Sequence, residues 1–182
     1  FIIMFAGNLG VAQSLPTIVR AASLVRNHPI QWVFLGDGRQ TEWLKNTVVE
    51  HALEDNISIL GKYPLEDMPR FFDIADVMLV TLKQDPVFAM TVPGKIQSYL
   101  KSGKPILSAL DGEGALVIEE SGAGFNVPSG DSSGLAELAL KMSQMSHAHL
   151  AIMSQRAISY YQNNFDAKAL LSRFEILVDK EN

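Results

Sequence analysis

Six short apolar runs punctuate the chain, at Ile2 to Ala6, Gln31 to Leu35, Ile57 to Leu60, Val77 to Thr81, Pro105 to Ala109 and Gly124 to Val127. Longer stretches of helical period separate them. Between the first two runs, Leu15, Ile18, Val19, Ala22 and Val25 recur at helical spacing, and Pro16 suits a first turn. Between the second and third, Trp43, Leu44, Thr47, Val48 and His51 do the same. Asp67 to Phe72 reads as a short helix before the fourth run, and Lys95 to Lys101 as another, stopped by Gly103 and Pro105. This alternation predicts an α/β fold, a parallel sheet whose strands are joined by crossover helices. After Pro128 the pattern is helical only: Asp131 to Met145, a break near Ser146 to His149, then Leu150 to Asn164 and Ala167 to Val178. Asp131 and Asp166 are the expected N-caps.

Glycines fall just after the strands, at Gly7 and Gly10, Gly36 and Gly38, Gly61, and Gly112 and Gly114. In an open parallel sheet those positions line the carboxyl edge, where ligands bind at the switch in strand order. The first turn, Ala6-Gly7-Asn8-Leu9-Gly10, lets backbone N–H groups approach an anion at the start of a helix. It lacks the full G-x-G-x-x-G spacing, so a tight turn that needs positive φ is an equal account of it. Gly36-Asp37-Gly38 reads as a strand-to-helix turn.

Composition narrows the classes. The 182 residues, 47% hydrophobic, are enough for one sizeable core and one domain. A formal net charge of -5 argues against a sequence-independent grip on nucleic acid or anionic lipid, so any anion site must be local. With no cysteine, thiol nucleophiles, disulfides and Cys-ligated metals are excluded. No apolar run approaches the roughly 18 to 20 residues that span a bilayer, so direct membrane insertion of this piece is not expected. The chain opens at Phe1 inside an apolar run, which reads as the C-terminal piece of a longer protein.

Among single residues, Lys95 stands out. In the first turn of a helix its charge opposes the macrodipole unless an anion lies between them; the alternative is a side chain that simply extends into water. His28, His51, His147 and His149 read as surface residues without a metal site, Glu119 and Glu120 as a solvated helix face, and Met142 and Met145 as core filler.

Phe5-Ala6-Gly7-Asn8-Leu9-Gly10 with Ala12-Gln13-Ser14-Leu15, Trp32 to Gly38, Ile57 to Tyr63 with Met68-Pro69 and Ala75-Asp76-Val77, and Pro93-Gly94-Lys95-Ile96 through Ser102-Gly103-Lys104-Pro105-Ile106 occur in a specific order. In that order the chain resembles the C-terminal, donor-binding domain of retaining GT-B glycosyltransferases of the family 4 type, most of all bacterial enzymes of O-antigen and exopolysaccharide assembly, including the fucosamine-transferase type. The resemblance implies a Rossmann-like open parallel sheet of about six strands with helices on both faces, one half of a GT-B fold, over residues 1–182, with an acceptor domain preceding it. It implies transfer of a sugar from a nucleotide-sugar, UDP-linked by preference and GDP-linked as the alternative, to a polysaccharide or lipid-linked glycan, with no metal and no cofactor. Nucleic acid is not an expected partner. The location implied is cytoplasmic, with the full enzyme peripheral at the inner face of the cytoplasmic membrane where its acceptor is lipid-linked.

Residue by residue, the resemblance places the base near Gly61, Lys62 and Tyr63 and the ribose near Gln97 and Ser98. The diphosphate falls near Gly7, Asn8, Gly94 and Lys95, and the sugar near the loop ending at Thr91 or near Asp111 to Gly114, with Gly10 and Pro93 also among the implied donor-binding residues. No catalytic residue is assigned. Many members carry an Arg and a Lys after the first strand and two Glu eight apart; the matching positions here are Asn8, Gln13, Met90 and Ser98. Two other readings share the fold: a nucleotide-binding α/β domain that does no chemistry, and a protein like UDP-N-acetylglucosamine epimerase, which calls for carboxylates and histidines in the cleft.

Overall fold

Strand β1 (Ile2–Ala6) lies at the middle of a six-stranded, wholly parallel sheet. In the computed structural model, which describes residues 1–166, the chain continues through α1 (Leu15–Leu24), β2 (Gln31–Leu35), α2 (Thr41–Glu50), β3 (Ile57–Gly61), α3 (Met68–Ile74) and β4 (Val77–Thr81). Then come α4 (Pro86–Ala89), α5 (Gly94–Lys101), β5 (Ile106–Ala109), α6 (Glu113–Ser121), β6 (Gly124–Val127), α7 (Ser132–Ser143) and α8 (His147–Asn164). The order β3-β2-β1-β4-β5-β6 is that of a doubly wound dinucleotide-type fold, which reverses direction between β1 and β4.

Alternation along the strands builds two cores. Ile3, Phe5, Trp32, Phe34, Val77 and Leu79 face α1, α2 and α7, whereas Met4, Val33, Leu35, Met78, Val80 and Ile106 face α5, α6 and the Ala157 side of α8. The predicted strands are all present. The fifth begins at Ile106 instead of Pro105, whose nitrogen cannot donate to the ladder, and the third runs on to Gly61. Asp131 caps α7 by accepting from the Gly134 N–H at 2.9 Å. The break after α7 is shorter than expected, because Ser146 caps α8 and draws His147 and His149 into its exposed first turn. The four-residue helix α4, capped by Asp85, has no counterpart in the sequence reading. The expected helix over 167–178 lies outside the described residues.

At the reversal the sheet is propped open. β1 pairs with β4 only at Ile3↔Val77 and Met4↔Met78. Beyond that point the Tyr99 hydroxyl of α5 donates to the Ala6 carbonyl and accepts from the Ala6 N–H, both at 3.0 Å. One buried phenol thus satisfies both backbone groups that a neighbouring strand would have taken. Burial pushes its ionisation well up, so it stays neutral. This contact also fixes α5 against the carboxyl end of β1.

Candidate functional site

The loops after β1, β2 and β3 meet at backbone contact. Gly7 N–H donates to the Leu35 carbonyl (2.8 Å), Leu9 N–H to that of Asp37 (2.9 Å), Gln40 N–H to that of Leu9 (2.9 Å) and Gly36 N–H to that of Gly61 (2.7 Å). A Cβ on Gly38 would lie 2.5 Å from the Leu9 carbonyl oxygen, so the approach admits only glycine there. These loops enclose a cleft of about 480 Å³ whose walls include Gly7, Asn8, Gly36, Asp37, Lys62 and Tyr63. Of the residues predicted for the site, Gly7, Asn8, Lys62 and Tyr63 therefore come together. Gly61 underlies them at φ +80°, and Gly10 sits behind the Asn8 amide.

The sequence reading put Gly36 on the carboxyl edge but left Asp37, Leu65 and Met68 out of this wall. Asp37 Oδ1 accepts from the Gly38 N–H (2.7 Å) and the Thr41 hydroxyl (2.8 Å), and the Thr41 bond, with that of Gly38, holds the carboxyl below its usual range. The signal was available, since Gly-x-Gly directly after a strand places its middle residue on the carboxyl edge.

Lys95 overturns the reading of a side chain in water. It is mostly buried, with Nζ 2.5 Å from Gln13 Oε1 and 3.7 Å from the centroid of the Phe5 ring. The cause is helical phase. Tyr99 lies one turn further along α5 and is anchored on Ala6, so Lys95 at i−4 is carried over the end of β1. Its stem fills the space beside Gly7, where a Cβ would lie 2.7 Å from Lys95 Cε.

The other predicted residues of this half occupy the rim. Pro93 caps α5, Gly94 opens it with free space around its Cα, and the Thr91 hydroxyl donates to the Phe88 carbonyl at 3.1 Å. Gly112 and Gly114 pack directly on this segment, against Ala89 and Pro93, so the two regions implied for the sugar are adjacent. Gln97 is half-buried on α5. Ser98 bonds back to the Gly94 carbonyl and lines a neighbouring cavity that shares Leu65 and Met68 with the first.

Desolvation by burial pushes the Lys95 ammonium down to about 7 from an ordinary value of about 10.4. Between those two pH values the unfolded chain binds the proton that the folded chain lacks, so this group's contribution to stability rises with pH. Below about pH 7 both states are charged and the full cost of the buried cation applies. Lys95→Met keeps the stem and removes the charge. The variant should gain stability relative to the parent at pH 7, and the difference should shrink toward pH 10; urea midpoints across that range measure it.

Among the described residues no group of three His, Asp or Glu side chains is placed to hold a metal ion, and no helix is long and apolar enough to cross a membrane.

A doubly wound domain with its cleft on the carboxyl edge beside the β1/β4 reversal is one half of a GT-B architecture, as superposition on known structures shows. Staphylococcus aureus TarM, solved with UDP, aligns over 97% of this chain and 35% of its own at a TM-score of 0.82 and 13% identity. Anabaena HepE, solved with UDP-glucose, aligns over 99% and 49% at 0.81 and 18%. The sequence profile described as "Glycosyl transferases group 1" matches residues 1–145, and the chain belongs to that family. Among curated relatives, the probable glycosyltransferase WbjE of Pseudomonas aeruginosa is 31% identical over 97% of this chain, and the amylovoran biosynthesis glycosyltransferase AmsK of Erwinia amylovora 27% over 63%. The chain spans 44% of the length of WbjE and 28% of that of AmsK.

Proposed function

We propose that this chain is the donor-binding half of a retaining glycosyltransferase, which holds a nucleotide-sugar, UDP-linked by preference, for transfer to a polysaccharide or lipid-linked glycan bound by a preceding domain. One observation carries the reading. Beside Gly7, in the wall of the glycine-lined cleft, packs Lys95, a largely buried cation with a neutral amide and a ring face as its neighbours. A buried positive charge is costly without a partner, and a diphosphate laid along Gly7 and Asn8 supplies one. The base then rests by Lys62 and Tyr63. The UDP and UDP-glucose of TarM and HepE support a uridine nucleotide, and the polysaccharide pathways in the names of AmsK and of the colanic acid protein WcaL of Escherichia coli support the acceptor class.

The residues of this half bind and orient; none of them is assigned to bond making. On departure of the nucleoside diphosphate, Lys95 and the backbone N–H groups beside it stabilise the negative charge that develops on the leaving oxygens. The epimerase-like reading is disfavoured by the cleft wall, which among the described residues holds one carboxylate, Asp37, and no histidine.

Thermal unfolding of the chain with UDP, GDP and ADP at equal concentration tests the reading, because a ligand of the native state alone raises the midpoint. UDP should raise it most, with saturation in the micromolar to millimolar range. An unmoved midpoint with all three nucleotides would refute the donor-binding assignment.

A further inference from the structure

Gln13 meets Lys95 across 82 residues of sequence, and its own position is fixed independently. It ends the short 3₁₀ turn Val11–Gln13, whose backbone is fastened across the sheet reversal to the end of β4. The buried Thr81 hydroxyl donates to the Gln13 carbonyl at 2.5 Å, and Lys83 N–H donates to the Ala12 carbonyl at 2.9 Å. The Gln13 backbone is therefore a fixed point, from which its side-chain amide reaches the flexible Lys95 side chain. Phe5 closes the remaining side with an aromatic face, which attracts a cation without neutralising it.

Among the described residues no carboxylate completes the arrangement. β1 and the Val11–Gln13 turn carry no ionisable side chain. After β4, Lys83 and Asp85 pair with each other at 3.6 Å, with Lys83 over the Phe88 ring. After β2, Asp37 is engaged by Gly38 and Thr41; after β5, Asp111 accepts from the Ser129 N–H at 3.1 Å. On α5 itself the remaining cation, Lys101, lies over the Tyr161 ring.

We propose that Gln13 is a positioning residue for donor binding: its neutral amide holds the Lys95 ammonium beside Gly7 while withholding a counter-ion, so that the diphosphate of the donor is the first anion Lys95 meets. This rests on the reading of the cleft as a nucleotide-sugar site. Because an anion next to Lys95 favours its charged form, binding above neutral pH takes up a proton, and by linkage a proton favours binding. A carboxylate at position 13 would satisfy Lys95 internally. It would remove the proton uptake and set a negative charge against the incoming phosphates.

Calorimetric titration of the chain with UDP at pH 8, where UDP is fully ionised, in two buffers of different ionisation enthalpy, reads affinity and proton uptake together. The parent should take up a sizeable fraction of a proton per UDP. Gln13→Glu should bind about tenfold more weakly or worse and take up almost none. Should Gln13→Glu not fold, the exchange Gln13→Lys with Lys95→Gln carries the test, since it leaves one ammonium and one amide at the same junction. Binding by the exchanged protein within about tenfold of the parent, and well above Lys95→Met, supports the proposal. Parent-like affinity and uptake in Gln13→Glu, with Lys95→Met weakened, overturns the role of Gln13 alone. Parent-like binding by Lys95→Met overturns the donor-site reading with it.

Discussion

Gly36→Ala should lower the stability of the chain by about 2 to 6 kcal/mol and take nucleotide binding with it. Gly36 has φ +142°, a conformation that side chains rarely adopt, and a Cβ built there would stand 1.8 Å from the Gly7 carbonyl oxygen and 2.8 Å from its carbon. The backbone strain alone accounts for about 1 to 3 kcal/mol, and forcing apart two hydrogen-bonded loops adds a similar amount. For a chain of this size each kcal/mol moves the unfolding midpoint by about 2 to 4 °C, so a fall on the order of 10 °C is expected. Gly130→Ala separates the two causes, because Gly130 has φ +84° with nothing within 4 Å of its would-be Cβ. It should lose only the conformational part. Equal losses in the two variants would show that the contact between the loops after β1 and β2 is not what demands glycine.

That contact also marks where the sequence stopped being legible. The strands could be read because each is a short apolar run closed by a turn residue, and their parallel pairing because stretches of helical period lie between them; their order in the sheet was not read. Gly36 and Gly38 were visible as turn glycines. Their reason for being glycine was not, because it lies in the carbonyls of Gly7 and Leu9, about 30 positions away and brought near only when β1 and β2 pair. For the same reason Asp37 looked like part of a turn and proves to be part of the wall.

Lys95 stood out in the sequence for its place in a first helical turn, yet its environment could be read two ways. The deciding signal was present. Ile96, Tyr99 and Leu100 form the buried stripe of α5, and Lys95 stands at i−4 from Tyr99, at the edge of that stripe. Gln13 showed only as a neutral residue where relatives carry charge. That its amide oxygen would be the partner of Lys95 depends on the anchoring of the Val11–Gln13 turn to the end of β4, a tertiary contact without a local signature.

Lys95→Met should bind UDP about ten- to hundredfold more weakly than the parent, the loss expected when a charge-assisted hydrogen bond of about 1.5 to 3 kcal/mol is removed. The direction of its effect on stability makes the experiment clean. Removing a desolvated cation relieves the folded state at neutral pH, so a weakened variant cannot be explained as a partly unfolded one. Lys104→Ala is the matched control for lost positive charge. Lys104 Nζ donates to the carbonyls of Asp73 and Ala75, both at 3.0 Å, which closes the C-terminal end of α3 on the side of the sheet away from the β1 loop. Its removal should cost about 1 kcal/mol of stability and leave UDP affinity within about twofold. Isothermal titrations of the three proteins at one ionic strength compare them directly. If Lys104→Ala loses as much affinity as Lys95→Met, the effect is long-range charge; if only Lys95→Met loses it, the diphosphate lies against Lys95.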